Sequence, residues 1–293
     1  MPEMPEVETI RRDLSAALEH RTIQAVHIFS PKTVRPNAAF FKKALVGAKM
    51  AKIERRGKLL ILALSPSGTK KPLQYLLIHL KMTGQLIFRD KKTVLAGGHS
   101  ASPVASPDLP SKHTRVILDF SGQGRLFFND LRRFGYLKIV DQAELDAILE
   151  NSYGPEPLTP EFSMAALQNI LKGKKTKIKA LLLDQKKIAG LGNIYVDESL
   201  FAARIRPERL AGSLKPTEIT KLYQAINQII KLAIKHRGTT FNNYRDSEGR
   251  KGNFSRFLKV YGRKGEKCPV CGRALVRIKV AGRGTHYCPH CQK

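Results

Sequence analysis

Two stretches of this chain carry residue types that can do chemistry by themselves. The first is the opening Pro2-Glu3-Met4-Pro5-Glu6-Val7-Glu8. An initiator Met ahead of a small Pro is expected to be removed, leaving Pro2 with a free secondary amine. Its pKa belongs near the α-amino reference of about 7.7–8, whereas lysine lies near about 10.4. At neutral pH roughly a tenth of such an amine is unprotonated, against less than about a thousandth of an ordinary lysine. Attack on a sugar carbon would give an iminium, always cationic and an electron sink for a later elimination. Glu3, adjacent in sequence, can donate or relay a proton. Taken alone, the motif reads more readily as a frayed terminus whose prolines merely resist helix formation.

The second stretch holds every cysteine of the chain, Cys268-Pro-Val-Cys271 and Cys288-Pro-His-Cys291, with sixteen residues between the pairs. In a reducing compartment this spacing reads as a four-thiolate zinc site rather than two disulfides. Each pair makes a tight knuckle, and two knuckles close a tetrahedron around one Zn²⁺. Four thiolates leave no open position for water, so the zinc is expected to be structural. His286 and His290 are expected to be bystanders.

The balance of charge names the partner class. Among 293 residues, 52 Lys and Arg stand against 24 Asp and Glu, a net charge of +28. Such a surplus repels itself unless a polyanion is near, which points to nucleic acid. A hydrophobic content of 42% is enough to build cores, so the chain is not a disordered polycation. No apolar run is long enough to span a bilayer and no lipidation signal occurs, which argues against a membrane partner. The acidic, proline-punctuated opening lacks the basic-then-apolar pattern of a secretory leader, so a cytoplasmic location is expected.

The elements that must position these groups follow from pattern. Val7, Ile10, Leu14 and Leu18 share one face of a helix. Strand-like runs follow over 23–29, 52–64, 74–88, 115–120 and 125–140, with no helices alternating between them. That order predicts an antiparallel β-sandwich within an α+β chain. Residues 89–113 turn to Gly, Ser, Pro and Lys and read as a flexible insertion. From about Ala143 the texture is helical. Thr159-Pro160 is expected to start a helix, with Thr159 as its cap. Ile219, Leu222, Ile226, Ile229, Ile230 and Ala233 repeat at helical spacing up to Gly238. The expected organisation is a sandwich domain over 1–142, a helical domain over 143–253 and a zinc ribbon over 254–293.

The opening motif closely resembles that of bacterial formamidopyrimidine-DNA glycosylases. The similarity continues in Arg55-Arg56-Gly57-Lys58, His79-Leu80-Lys81-Met82-Thr83-Gly84 and Asp130-Leu131-Arg132-Arg133-Phe134-Gly135. It extends through Asp184-Gln185, Gly190-Leu191-Gly192-Asn193-Ile194-Tyr195, Glu198-Ser199-Leu200-Phe201 and Val260-Tyr261-Gly262-Arg263. It ends with Gly282-Arg283-Gly284-Thr285 before the second cysteine pair. The resemblance spans the whole chain in order. Any one piece is weak, and the set is hard to obtain by chance.

The resemblance implies a bifunctional DNA glycosylase and AP lyase acting on duplex DNA that contains oxidised purines such as 8-oxoguanine. It implies a Pro2 Schiff base at the sugar C1′, β- and δ-elimination, a helix–two-turn–helix element in the helical domain and a monomeric enzyme. Catalytic roles fall to Pro2, Glu3, Lys58 and Arg283. Met82, Arg132 and Phe134 match the wedge that fills the stack where the damaged base leaves, and apolar fillers with a cation suit that task. His79, His113, Lys175 and Asn193 match DNA-contacting positions. Asn193 follows two glycines at a helix start, where free N–H groups favour phosphate. Cys268, Cys271, Cys288 and Cys291 match the zinc ligands, and residues 239–253 the lesion-capping loop. Lys81, Thr83 and the capping loop depart from the common pattern, which leaves fine discrimination between purine lesions open. Two other readings stand beside this one: a pyrimidine-directed enzyme of endonuclease VIII type, and a non-catalytic zinc-ribbon DNA binder.

Overall fold

A computed structural model describes residues 1–65, 74–98, 109–239 and 253–293. The chain divides into two compact units: Met1–Leu149 with Arg237–Asn253, and Glu150–His236 with Phe254–Lys293.

The first unit opens with helix α1 (Met4–Leu18), Pro5 lying in its first turn where a missing N–H costs nothing. Its Val7, Ile10, Leu14 and Leu18 are all buried in the main core, as their spacing predicts. Burial of each contributes on the order of 1.5–3 kcal/mol, an upper bound set by the extended-chain reference. Ten strands and a second helix follow: β1 (Ile23–Ile28), β2 (Val34–Arg35), α2 (Ala38–Leu45), β3 (Lys49–Arg56), β4 (Leu59–Ser65), β5 (Gln74–His79), β6 (Gly84–Arg89), β7 (Val94–Gly98), β8 (Thr114–Phe120), β9 (Gly124–Asp130) and β10 (Tyr136–Val140).

These strands form two five-stranded sheets, ordered β1-β8-β9-β6-β7 and β2-β10-β5-β4-β3. Every pairing is antiparallel except the short β2–β10 contact, which is parallel. The expected sandwich is therefore present, with one parallel edge. Helix α1 approaches β7 so closely that a Cβ on Gly97 would lie 2.2 Å from Ile10 Cγ1. A side chain there would push the helix off the sheet.

Three runs that pattern alone reads as single strands each break into two. One is the β3–β4 hairpin, and in the other two the chain passes from one sheet to the other, β5 to β6 and β9 to β10. The run over 52–64 breaks at Gly57-Lys58, that over 74–88 at residues 80–83, and that over 125–140 at residues 131–135. The breaks hold Lys58, Met82, Arg132 and Phe134. Part of the stretch expected as a flexible insertion is built into the sheet, because Val94–Gly98 forms β7 beside β6. Residues 99–108 lie outside the described chain.

The second unit is helical: after α3 (Gln142–Ser152), which crosses from one unit to the other, come α4 (Met164–Leu171), α5 (Ile178–Leu183), α6 (Asn193–Ala202) and α7 (Pro216–Lys235). The helix expected at Thr159 begins instead after Ser163, whose side chain accepts the Ala166 N–H at 3.1 Å. The Thr159 hydroxyl donates to the Glu156 carbonyl and is not available as a cap. Ile219, Leu222, Ile226, Ile230 and Ala233 of α7 are buried, as their spacing predicts.

A β-hairpin, β11 (Val276–Val280) and β12 (Arg283–Tyr287), completes the unit. Its two-residue turn places Ala281 and Gly282 at φ of 49° and 75°, the left-handed pair that matches strand twist. The carboxylate of Glu198 on α6 accepts the backbone N–H groups of Lys259, Val260 and Tyr261 at 2.9, 2.9 and 2.8 Å. Burial raises its pKa despite these donors.

Candidate functional site

In the first unit, Pro2 and Glu3 are buried at the start of α1. Glu6 holds this end in place. Its Oε2 accepts the Glu3 N–H at 2.9 Å, and its Oε1 accepts the Thr239 N–H at 2.7 Å and the Thr239 hydroxyl at 3.0 Å. Arg237 reaches the same helix, donating to both oxygens of Asp13 at 2.8 and 2.7 Å. The start of the expected capping loop, Thr239, and Arg237 just before it are thus both tied to α1. Residues 240–252 of that loop lie outside the described chain.

Lys58 is buried in the β3–β4 turn. Its neighbour Leu59 pairs with His79, so the lysine and the histidine share one end of the sheet. Burial, with the charges of Lys81 and Lys58, pushes the His79 pKa down to about 3. His79 is therefore neutral at physiological pH. Its Nδ1 accepts the Lys81 N–H at 3.0 Å, which leaves the ring proton on Nε2 as a donor.

The three residues expected to form the wedge converge. Arg132 donates from Nη1 to Met82 Sδ at 3.2 Å, and its Cζ lies 4.6 Å from the Phe134 ring centroid. Met82 is 39% exposed and Phe134 52%, a large apolar surface turned to solvent. Asp130, fully buried, organises both turns that carry them. Its Oδ1 accepts the Arg132 N–H at 3.2 Å and its Oδ2 the Gly135 N–H at 2.7 Å. The Thr83 hydroxyl bonds Asp130 and also accepts the Arg132 N–H at 3.0 Å. Lys81 and Arg133, one in each turn, sit at φ of 49° and 58°. Side chains reach that region only when their surroundings force it.

His113 precedes β8, and its carbonyl accepts the Asp130 N–H at 2.9 Å. Burial and the charges of Lys112 and Arg115 lower its pKa. The residue that sequence reasoning missed here is Asp130. Its signal was an acidic side chain opening a turn whose backbone N–H groups need an acceptor. Thr83, read as a departure from pattern, is the partner of that acid.

In the second unit, Gly192 caps α6 and Asn193 is its first residue. Asn193 Nδ2 donates to the Gly284 carbonyl at 3.0 Å, which sets it beside Arg283 at the exposed hairpin tip. The buried Lys179 donates to the same carbonyl at 3.2 Å and to Asp197 Oδ1 at 2.5 Å. Asp197 Oδ2 then accepts the His286 N–H at 2.8 Å. Sequence reading missed this network, because its members lie far apart in the chain. Lys175 stands exposed in the α4–α5 connection, and no hydrogen bond among the described residues joins it to the other expected contacts.

The four cysteine sulfurs lie within 4.8 Å of one another, with Cys268–Cys291 at 3.9 Å and Cys271–Cys288 at 3.5 Å. Zn–S bonds of about 2.3 Å require tetrahedral edges of about 3.8 Å, so the sulfurs fit the ion. His286 and His290 stay outside this group.

Comparison with known proteins decides the family. Residues 1–137 match the formamidopyrimidine-DNA glycosylase N-terminal domain, 153–244 its H2TH domain, and 265–293 the zinc finger found in FPG and IleRS. The formamidopyrimidine-DNA glycosylase of Desulforamulus reducens is 46% identical over 100% of this chain and 99% of its own length. That of Pelotomaculum thermopropionicum is 42% identical over 100% and 99%. The chain belongs to the formamidopyrimidine-DNA glycosylase family. Among solved structures, the Lactococcus lactis Fpg in complex with DNA containing an abasic site superposes with a TM-score of 0.86. It is 35% identical, and all of both chains is covered. A MutM structure in complex with carbocyclic 8-oxo-G containing DNA gives 0.85 at the same identity and full coverage. As in the zinc-finger family it matches, the four-cysteine site of this glycosylase holds one structural zinc ion. Among the described residues no helix is long and apolar enough to cross a membrane.

Proposed function

We propose that this glycosylase excises oxidised purines from duplex DNA and then cuts the strand at the resulting site, in base excision repair. The convergence of Met82, Arg132 and Phe134 carries this reading. An exposed thioether, a guanidinium and an aromatic ring, held together by a buried aspartate, have the chemistry to fill a gap in a base stack. Extruding a base costs a few kcal/mol, and a filler that enters the stack offsets it.

The chemistry begins at Pro2 once Met1 is removed. Its amine attacks the sugar C1′, the N–C1′ bond forms, and the glycosidic bond breaks with a proton delivered to the departing purine. Glu3, buried beside it, supplies or relays protons. The proline nitrogen then gives up its proton and expels the ring oxygen O4′, which takes up a proton, leaving an iminium at C1′. The iminium acidifies C2′; loss of that proton expels the 3′ phosphate, and a second elimination expels the 5′ phosphate. Lys58 assists elimination, and Arg283 holds a phosphate during the second step. His79, through its Nε2–H, and His113, Lys175 and Asn193 hold the DNA backbone. The zinc ion fixes the ribbon that carries Arg283 and takes no part in the chemistry. An enzyme that repairs the bacterial chromosome works in the cytoplasm, on the nucleoid. Incubation with duplex DNA bearing a single 8-oxoguanine tests the proposal: a free damaged base and a nicked strand support it, and an intact duplex contradicts it.

A further inference from the structure

The geometry points to an additional phosphate seat built from Arg35, Lys81 and Tyr136, beside the wedge. The sheet order β2-β10-β5 brings these residues together. Tyr136 lies directly opposite His79 in the β10–β5 ladder, and Lys138, two residues on, lies opposite Arg35 in the β10–β2 ladder. The Tyr136 ring then takes one cation from β2 and one from the turn that follows β5. Arg35 Cζ is 4.7 Å from the ring centroid and Lys81 Nζ is 5.8 Å, with the His79 ring at 5.7 Å.

Two cations gathered on one ring repel each other, and a cation–π contact at a part-exposed site returns only about 0.5–1 kcal/mol. Among the described residues neither cation has a carboxylate partner, whereas the neighbouring Lys138 is neutralised by Glu144 at 2.5 Å. A guanidinium lying over a ring keeps the N–H groups of its edge for an acceptor in the ring's surroundings. His79 adds the Nε2–H of a neutral ring. The set is one of donors without an acceptor, and a dianionic or monoanionic phosphate oxygen group completes it. Its place in the chain identifies the source. Lys81 immediately precedes Met82, and Tyr136 follows Phe134 by two residues, so the seat takes a DNA phosphodiester next to the nucleotide the wedge displaces.

This inference rests on the proposed DNA-binding function, and the experiment separates the two. Affinities of the parent and of the double variant Arg35→Gln/Lys81→Gln are measured between 50 and 200 mM salt, on undamaged duplex and on duplex with an abasic-site analogue. Loss of one phosphate contact lowers the slope of log affinity against log salt by about 0.9, so the fall in affinity across this range narrows roughly 3.5-fold. The ratio of affinities for the two duplexes stays at the parent value, because backbone contacts carry no lesion information. Tyr136→Phe, which keeps the ring, retains the parent slope. A double variant with the parent's slope overturns the seat, and so does an affinity loss with the slope unchanged, which is the mark of a structural role. A parent that does not bind duplex DNA overturns the proposed function and the seat with it.

Discussion

Arg132 stands between Met82 and Phe134, its Nη1 3.2 Å from the Met82 sulfur and its Cζ 4.6 Å from the Phe134 centroid. The two apolar residues come from different connections between the sheets, β5–β6 and β9–β10, so the guanidinium joins the two turns. Phe134→Ala removes a ring that is half exposed, so stability changes by no more than about 0.5–1 kcal/mol. Affinity for lesion DNA falls at least tenfold, while affinity for undamaged duplex stays within about twofold, because a wedge acts only where a base is displaced. Equal losses on both duplexes in a binding titration would show that Phe134 is a general contact.

Asp130→Ala strips acceptors from the Arg132 and Gly135 N–H groups and leaves the Thr83 hydroxyl without its carboxylate. A buried network broken on one side costs about 3 kcal/mol or more. The melting temperature drops by roughly 2–4 °C for each kcal/mol at this chain length. Lesion selectivity falls further than in Phe134→Ala, since Met82 and Arg132 lose their placement too. Unchanged selectivity in Asp130→Ala would mean that the wedge is held by something else.

How much of this was legible in the sequence depends on how local the causes are. The zinc ligands were legible because each Cys pair makes its own knuckle within four residues. The α1 core face was legible because Val7, Ile10, Leu14 and Leu18 repeat with the helix period. The strand breaks at Lys58, Met82 and Arg132 were not, because apolar residues continue on both sides of each turn and hide the break. Nor was the role of Thr83, whose partner Asp130 lies 47 positions away. The same holds for Lys179 and Gly284, 105 positions apart, whose contact only the folded unit creates. The parallel β2–β10 edge joins just two residue pairs, too short to leave a pattern.

Acid should destabilise the first unit in two stages. His79 is kept neutral, its pKa lowered by burial and by Lys81 and Lys58 from 6.5 to about 3. The unfolded chain therefore binds a proton that the folded chain refuses, and stability falls as pH drops from about 6.5 towards 3. For Glu8, burial pushes the carboxyl up, yet hydrogen bonds from Arg11 and Arg12 and the charge of Arg55 bring it down to about 2. Its contribution is present above about 4.5 and is lost as pH falls through about 2. Denaturant melts of His79→Gln should show a flatter pH dependence between 6.5 and 3 than the parent. A parallel shift with no change of shape would contradict this assignment.

Zinc removal acts on the ribbon first, since a four-thiolate site is built only as the ribbon folds. Metal analysis should find one zinc per chain. Chelation under conditions that strip it should abolish tight DNA binding, while the sheet signal of the first unit survives in circular dichroism. Active protein that contains no zinc would overturn the structural role.

The central claim is that the Pro2 amine is the nucleophile, and borohydride trapping tests it most directly. Reduction of the iminium on DNA carrying 8-oxoguanine should weld the protein to the strand, and the adduct should map to the N-terminal peptide and not to Lys58. Pro2→Gly, which keeps a primary amine, should trap partially. Glu3→Gln should bind lesion DNA yet turn over slowly, while still cutting a pre-formed abasic site from which no base has to leave. An added N-terminal tag, which turns the amine into an amide, should abolish trapping. Trapping at full strength with the terminus blocked would contradict the mechanism and assign the nucleophile elsewhere.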